Sequence, residues 1–226
     1  MLNEEKYSQV FTFGCRLNFS ESEIIKEHLK SNNLEDIIVF NTCSVTSEAE
    51  RKAKQAIRKI KKSKPESKIV VTGCAAQINP KIWFSMPEVN HVIGNDEKIN
   101  QKFWVDLSNR AEDKIVVSDI MRLKENSFLT NNNFNDQTRS FIQIQNGCDH
   151  RCTFCVIPFG RGNSRSVAVG NIIENIEKAL KNNVQEIVLT GVDLTSWGKD
   201  FKERKSLGFL LKTIFLSLPD LPRLRI

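Results

Sequence analysis

Along the first hundred residues, short runs of Val, Ile and Phe alternate with longer stretches in which apolar residues recur every three or four positions. The run QVFTFGC reads as a strand ending at Cys15. NFSESEIIKEHLKS after it reads as a helix, in which Ser20 and Glu23 fit a capping box and Ile24, Ile25, His28 and Leu29 form the apolar stripe. DIIVFNTC ends at Cys43 and leads into TSEAERKAKQAIRKIKK, capped by Ser47 with Glu50 and striped by Ala49, Ala53, Ala56, Ile57 and Ile60. KIVVTGC ends at Cys74, the third occurrence of the same unit. Near-continuous apolar strands alternating with helices predict a parallel sheet covered on both faces. All three cysteines then stand just past strand carboxyl ends, the edge where open α/β sheets place their ligands.

The pattern lapses in KENSFLTNNNFNDQ, which is polar and Asn-rich, so the domains expected are residues 1–123, a linker at 124–138, and 139–226. Alternation then resumes. RSFIQIQNGC reads as a strand ending at Cys148, VGNIIENIEKALKNN as a helix and QEIVLTG as a strand. SLGFLLKTIFLSL follows as a helix, and LPRLRI as the start of a third strand. The expected fold class is α/β: an N-terminal parallel-sheet domain followed by the first part of a (β/α) barrel.

Composition narrows the chemistry. Lys and Arg outnumber Asp and Glu by 33 to 27, a net charge of +6, which is compatible with a polyanionic partner such as RNA. The first ten residues lack a basic segment followed by an apolar run, and no stretch approaches the roughly 18 apolar residues of a membrane span, so a cytoplasmic protein with no membrane partner is expected. Thiols stay reduced there, and the six cysteines are expected to be metal ligands or catalytic groups rather than disulfides.

Three of the six fall in GCDHRCTFC. Cys148, Cys152 and Cys155 have C-x3-C-x2-C spacing, and no second Cys or His pair follows to complete a zinc site. His150 between them reads as a solvated neighbour. Three thiolates that need no fourth suit a cubane iron–sulfur cluster with one iron left open. Phe154 precedes the last cysteine, and with it the motif resembles the signature of the radical S-adenosylmethionine (SAM) enzymes. IQIQNGCDHRCTFCVIPFGRGNSRS is similar to the methylthiotransferase branch in particular, as are FGCRLNFSESE, NTCSVTSEAERKA and VTGCAAQ in the first half. Within it, GRGNSRS and CSVTSEAERKA are most similar to the enzymes acting on threonylcarbamoyladenosine of tRNA; those acting on isopentenyladenosine tRNA or on a ribosomal protein are less similar.

The resemblance implies two [4Fe–4S] clusters and SAM as cofactors. In the family, the open iron held by a triplet such as Cys148, Cys152 and Cys155 binds SAM, and one electron cleaves it to a 5′-deoxyadenosyl radical. Phe154, Gly191 and Asp193 correspond to SAM contacts. Cys15, Cys43 and Cys74 would hold the second cluster, which delivers methylthio to the substrate, here adenine C2 of threonylcarbamoyladenosine next to the anticodon. The implied partners are tRNA, a small electron donor of flavodoxin or ferredoxin type and, where one exists, a separate C-terminal half, because the family's barrel has more strands and a β-rich RNA-binding domain follows it. A catalytically silent fragment and a zinc module for RNA are the competing expectations.

Other residues read as structural. Asn18, Asn41 and Thr42 flank the first-half cysteines as turn chemistry, GRGNSRS is a flexible loop, RKIKKSKPESK is a solvated basic face, and Trp83, Trp104 and Trp197 are core.

Overall fold

In the computed structural model, the repeated βα units of the first half build the parallel sheet that their apolar strands require. Residues 8–107, 114–124 and 138–226 are described. They divide into two units, Met1–Ile120 and Met121–Ile226. Residues 125–137 of the expected linker lie outside the described residues.

The first unit contains, in order, β1 (Gln9–Thr12), α1 (Arg16–Ser31), β2 (Ile37–Thr42), α2 (Ser47–Ser63), β3 (Lys68–Gly73), α3 (Cys74–Ile78), α4 (Pro80–Phe84), β4 (His91–Ile93), α5 (Gln101–Asp106) and β5 (Ile115–Val116). The strands lie in chain order, β1-β2-β3-β4-β5, all parallel. Every residue of β2 is buried, because both faces are covered. Ile37 and Val39 pack with Ile25 and Leu29 of α1 and with Phe103 and Trp104 of α5. Ile38 and Phe40 pack with Ala53 and Ile57 of α2 and with Ala75 and Trp83. Strand order advances steadily while α1 and α2 cover opposite faces, so the two crossovers have opposite hands, and one departs from the usual right-handed connection.

Both expected caps shift. Helix α1 begins at Arg16, with Cys15 as its N-cap and no side-chain cap, and Ser20 and Ser22 lie buried within it. Two residues past the expected cap Ser20, Ser22 accepts hydrogen bonds from Thr12 Oγ1 at 2.8 Å and Asn41 Nδ2 at 3.0 Å, tying α1 to two strands. On α2 the cap is Thr46, whose hydroxyl accepts from Ala49 N at 3.2 Å, one residue before the expected Ser47.

The second unit contains β6 (Arg139–Gln143), β7 (Gln145–Asn146), α6 (Ile157–Arg161), β8 (Arg165–Ser166), α7 (Val169–Lys181), β9 (Glu186–Thr190), α8 (Leu207–Ser217) and β10 (Leu224–Arg225). Strands β6, β9 and β10 form a parallel sheet in the order β10-β9-β6. Here α7 and α8 share one core, with Ile172, Ile176, Leu210 and Ile214 packed on Ile142, Ile187 and Leu189. Helices on one side of a sheet that grows in chain order are the beginning of a barrel. The strand expected to run from Arg139 to Cys148 divides at Ile144. Its first part pairs with β9, while β7 pairs antiparallel with β8. Ile144 bridges the two, its N–H donating to Thr190 O at 2.9 Å and its carbonyl accepting from Val167 N at 2.8 Å. Trp83, Trp104 and Trp197 are all core residues, as expected.

Candidate metal centres

Cys15, Cys43 and Cys74 leave the first sheet at one edge. Thr42 of β2 pairs with Gly73 of β3, so Cys43 and Cys74 follow adjacent strands at the same level. Phe13 N donates to Asn41 O at 2.8 Å, which brings the turn after β1 to that level too. Gly14 then passes so close to Cys43 that a Cβ on it would stand 2.5 Å from Cys43 Cβ and 2.7 Å from its sulfur, and its φ of 102° suits only glycine. Cys43 and Cys74 are buried and Cys15 is exposed. Asn95 Nδ2 donates to Cys74 Sγ at 3.8 Å.

A buried polar network supports this edge. Asn18 Nδ2 donates to Phe13 O at 2.7 Å and Thr42 O at 3.0 Å, holding the strand ends on either side of Gly14. Asn41 Nδ2 donates to Asn18 O at 3.0 Å, and Thr42 Oγ1 to Thr72 O at 2.5 Å. Asn18, Asn41 and Thr42 thus spend their polar groups on turns and strands, the structural role expected of them. Lys98, in the turn after β4, completes the network from below. Its side chain is fully buried, with Nζ 2.6 Å from Glu21 Oε2 and 3.2 Å from Asn41 Oδ1. Lys98 and Glu21 were not anticipated.

Cys148, Cys152 and Cys155 share a single loop of the second unit. Its ends are clamped by the segment Gly162–Ser164, with Cys148 N donating to Gly162 O at 3.0 Å and Ser164 N to Asp149 Oδ1 at 2.8 Å. Gly147, at φ 75°, lies against Asn163 O, where any Cβ would clash. Arg151 reaches back to Cys148 O and to Asn163 Oδ1, both at 2.7 Å. GRGNSRS therefore braces the loop, through α6 and β8, where a flexible segment was expected. A turn from Cys152 O to Cys155 N at 3.0 Å brings the last two cysteines round, and leaves Phe154 88% exposed between them.

Gln145 connects this loop to the segment after β9. Fully buried, it donates through Nε2 to Gly147 O at 2.7 Å and to Ser164 Oγ at 3.0 Å, and accepts through Oε1 from Val192 N at 2.9 Å and Asp193 N at 2.8 Å. Gly191 stands beside it, where a Cβ would come within 3.0 Å of Gln145 Oε1. Asp193 is placed with its carboxylate 3.3 Å from His150 Nε2. Ser196 Oγ donates to it at 2.6 Å and Thr195 Oγ1 at 2.7 Å, and these hydroxyls, Ser196 foremost, hold its carboxyl below the usual carboxylate range. Gln143 is two residues before Gln145. It is buried, and its Oε1 has no hydrogen-bond partner among the described residues. The signal for both glutamines was present in the alternation FIQIQ, which puts them on the face opposite Ile142 and Ile144.

None of the six cysteines forms a disulfide. Among the described residues, no three Cys, His, Asp or Glu side chains converge as ligands of one ion would. The residues fit iron–sulfur clusters: thiols alone make up each set, Gly14 lets the turn after β1 pass against Cys43, Gly147 lets the triplet's loop close on Asn163, and Asn95 offers a sulfur a hydrogen bond. At the carboxyl end of β6, the Gln143 oxygen is a buried acceptor that a ligand's N–H would satisfy.

Residues 8–94 match the uncharacterized protein family UPF0004, and residues 142–220 the radical SAM superfamily. The threonylcarbamoyladenosine tRNA methylthiotransferase MtaB of Rickettsia prowazekii is 44% identical over 218 residues, covering 96% of this chain and 51% of that protein. Its namesake from Bacillus subtilis is 33% identical, covering 95% and 49%. The tRNA-2-methylthio-N(6)-dimethylallyladenosine synthase of Lawsonia intracellularis is 32% identical, covering 96% and 52%. The chain thus spans about half the length of the curated relatives it matches. Among solved structures, the radical SAM methyltransferase TsrM of Kitasatospora setae, with cobalamin and a [4Fe–4S] cluster bound, superposes with a TM-score of 0.60. The identity is 10%, and 96% of this chain and 52% of that one are covered, a likeness of fold.

Proposed function

This chain belongs to the radical SAM methylthiotransferase family, and on that premise we propose that it provides both cysteine sets of an enzyme that adds a methylthio group to adenine C2 of threonylcarbamoyladenosine in tRNA, next to the anticodon. The observation that carries the reading is the presence of two three-cysteine sets, one at the carboxyl edge of the first sheet and one in a single braced loop, each framed by glycine-permitted close contacts. The 44% identity to a tRNA methylthiotransferase named for threonylcarbamoyladenosine favours that substrate over the dimethylallyl relative at 32%.

In this reading Cys148, Cys152 and Cys155 hold a four-iron cluster, and Cys15, Cys43 and Cys74 hold a second. When bound, clusters and SAM supply one-electron cleavage of the cofactor and the sulfur that reaches the substrate. The chain's own residues position these groups. Asp193, ionised at neutral pH, offers its carboxylate to a cationic amino group, and Gly191 keeps the backbone beside it bare. Phe154 offers an exposed aromatic face next to Cys155. Buried Cys43 and Cys74 keep water from their thiolates on one side, while exposed Cys15 leaves the other side open to an incoming group. Binding of tRNA, reduction by a small flavodoxin- or ferredoxin-type protein and a cytoplasmic location belong to the same proposal. Among the described residues, no helix is long and apolar enough to cross a membrane.

The test is nucleoside mass spectrometry of tRNA from cells with and without the gene. The expected result is loss of the methylthio group from threonylcarbamoyladenosine alone. Loss from the isopentenyl nucleoside instead, or no change in either, overturns the substrate assignment. Anaerobic reconstitution of the chain is expected to give about eight irons, two four-iron clusters, and zinc alone would overturn the cofactor assignment.

A further inference from the structure

Resting on the tRNA reading above, we infer that the outward face of α2 is an RNA-backbone contact surface that runs from the Cys43 edge of the first sheet. The segment Ser47–Lys64 holds eight basic residues and two acidic ones. The remaining chain holds 25 of each sign, so the entire net charge of +6 lies in these eighteen residues. At 100° per residue, Arg51, Arg58 and Lys62 fall in line along the face opposite buried Ala53 and Ile57. Lys52 and Lys59 flank them on one side and Lys54 on the other.

The fold gains little from this arrangement. Within the helix, five like-charge pairs stand three or four residues apart, from Arg51 and Lys54 to Lys59 and Lys62, and each such pair is destabilising. Glu48 pairs with Arg51 at 2.7 Å and Lys52 at 3.6 Å, and Glu88 reaches Arg58 only at 4.0 Å. Among the described residues, no carboxylate pairs with Lys59 or Lys62. The helix dipole accounts for basic residues in the last turn but not for Arg51 and Lys52 in the first half; Lys54, with its ammonium 5.3 Å from the centre of the Trp83 ring, does serve the fold. A polyanion laid on the face would relieve the repulsion.

RNA suits the face better than an acidic protein. It is a row of charged side chains with no exposed apolar anchor among them, whereas a protein interface is built round an apolar core. Sequence-independent phosphate contacts position an RNA without reading it. Helix α2 begins four residues after Cys43 and is about 25 Å long, so an RNA held along it has one end at the cysteine edge.

The experiment compares the chain with its triple variant Arg58→Gln, Lys59→Gln, Lys62→Gln. A control variant carries Lys30→Gln, Lys181→Gln and Lys212→Gln, with the same charge change elsewhere. Binding of an unmodified tRNA transcript is measured by fluorescence anisotropy from 0.05 to 0.5 M salt. Three phosphate contacts at 0.7–0.9 each lower the slope of log K against log salt by roughly 2–3, which amounts to a loss of about 50- to 160-fold at 0.15 M when 1 M is taken as the point where the contacts vanish. The expected result is that loss for the α2 variant, a much smaller one for the control, and an unfolding midpoint for the α2 variant no lower than the parent's. Equal losses in both variants, unchanged affinity and slope in the α2 variant, or loss of polyglutamate binding with tRNA binding intact would each overturn the inference. Because the transcript carries no modified adenosine, this outcome is independent of the nucleoside analysis that tests the substrate.

Discussion

Replacing Lys98 by Met preserves the aliphatic stem and removes only the ammonium. In the folded chain that ammonium is completely buried, 2.6 Å from Glu21 Oε2 and 3.2 Å from Asn41 Oδ1. Lys98→Met therefore leaves the Glu21 carboxylate buried without its charge partner, a loss of about 3–5 kcal/mol. Unfolding entropy near 2.1 cal/mol/K per residue gives a unit of about 120 residues roughly 0.25 kcal/mol per degree, so its midpoint should fall by roughly 12–20 °C. The double variant Lys98→Met, Glu21→Leu removes both charges, and the loss of the Lys98 donor to Asn41 Oδ1 remains, at about 1–3 kcal/mol. It should recover most of the lost stability. Guanidinium titration followed by tryptophan fluorescence in a Trp197→Phe background reads the unit, since Trp83 and Trp104 are buried in it, Trp197 lies in the second unit, and Trp104 Nε1 donates to Lys98 O at 2.8 Å. If Lys98→Met costs under about 1 kcal/mol, or the double variant is the weaker of the two, then the pair is not what holds α1 and the turn after β4 together.

Three further outcomes follow from the geometry. Gln145→Leu should deprive the Val192 and Asp193 amides of their acceptor; hydrogen exchange at both should rise and SAM affinity should fall about tenfold, while Gln145→Glu, which keeps the acceptor, should restore the amide protection. Gly14→Ala should push into Cys43 and force an unfavourable φ, lowering iron content by about four per chain in reconstitution while Gly208→Ala, at an uncrowded helical site, leaves it unchanged. The Glu186 carboxyl is held below its ordinary value chiefly by a hydrogen bond from Arg225, with Arg139 and Arg223 nearby. A depressed folded-state value gives stability that is present above the ordinary Glu value and lost as pH falls through the depressed one, so Glu186→Gln should flatten the acid limb of the stability profile.

The elements and cysteines were legible because periodic burial writes them into the chain. Ile38, Phe40, Ile69 and Val71 could only be strands of a doubly covered sheet, and the cysteines simply follow them. The cap of α1 slipped because the helix starts a turn earlier, at Arg16, and leaves Ser20 buried inside it, while nearby Ser22 serves Thr12 and Asn41, a tertiary role that no local pattern records. Lys98, in the polar run NDEK, reads as a surface turn. Its partner left a trace, since Glu21 falls on the same helical face as Leu17, Ile25 and Leu29, and a lone charge within an apolar stripe calls for a buried counterion. For Gln145 the alternation FIQIQ gave the face but not the partner, a loop 47 residues away that its side chain holds.

The two cysteine sets also differ in how much chain they enclose. Cys15, Cys43 and Cys74 are separated by 28 and 31 residues, each interval a complete crossover, whereas Cys148, Cys152 and Cys155 are separated by four and three. Joining the first set closes two long loops and removes conformational freedom from the unfolded chain, about 3–4 kcal/mol for each loop of that length on chain-entropy grounds. Joining the second closes loops of four and three residues, about half as much each on the same relation, and confines only one loop. On the proposed cluster assignment, metal loading in the first unit would be a topological cross-link that tightens β1, β2 and β3 together, and its oxidative loss would loosen a whole sheet, while loading of the second unit's loop would constrain only that loop.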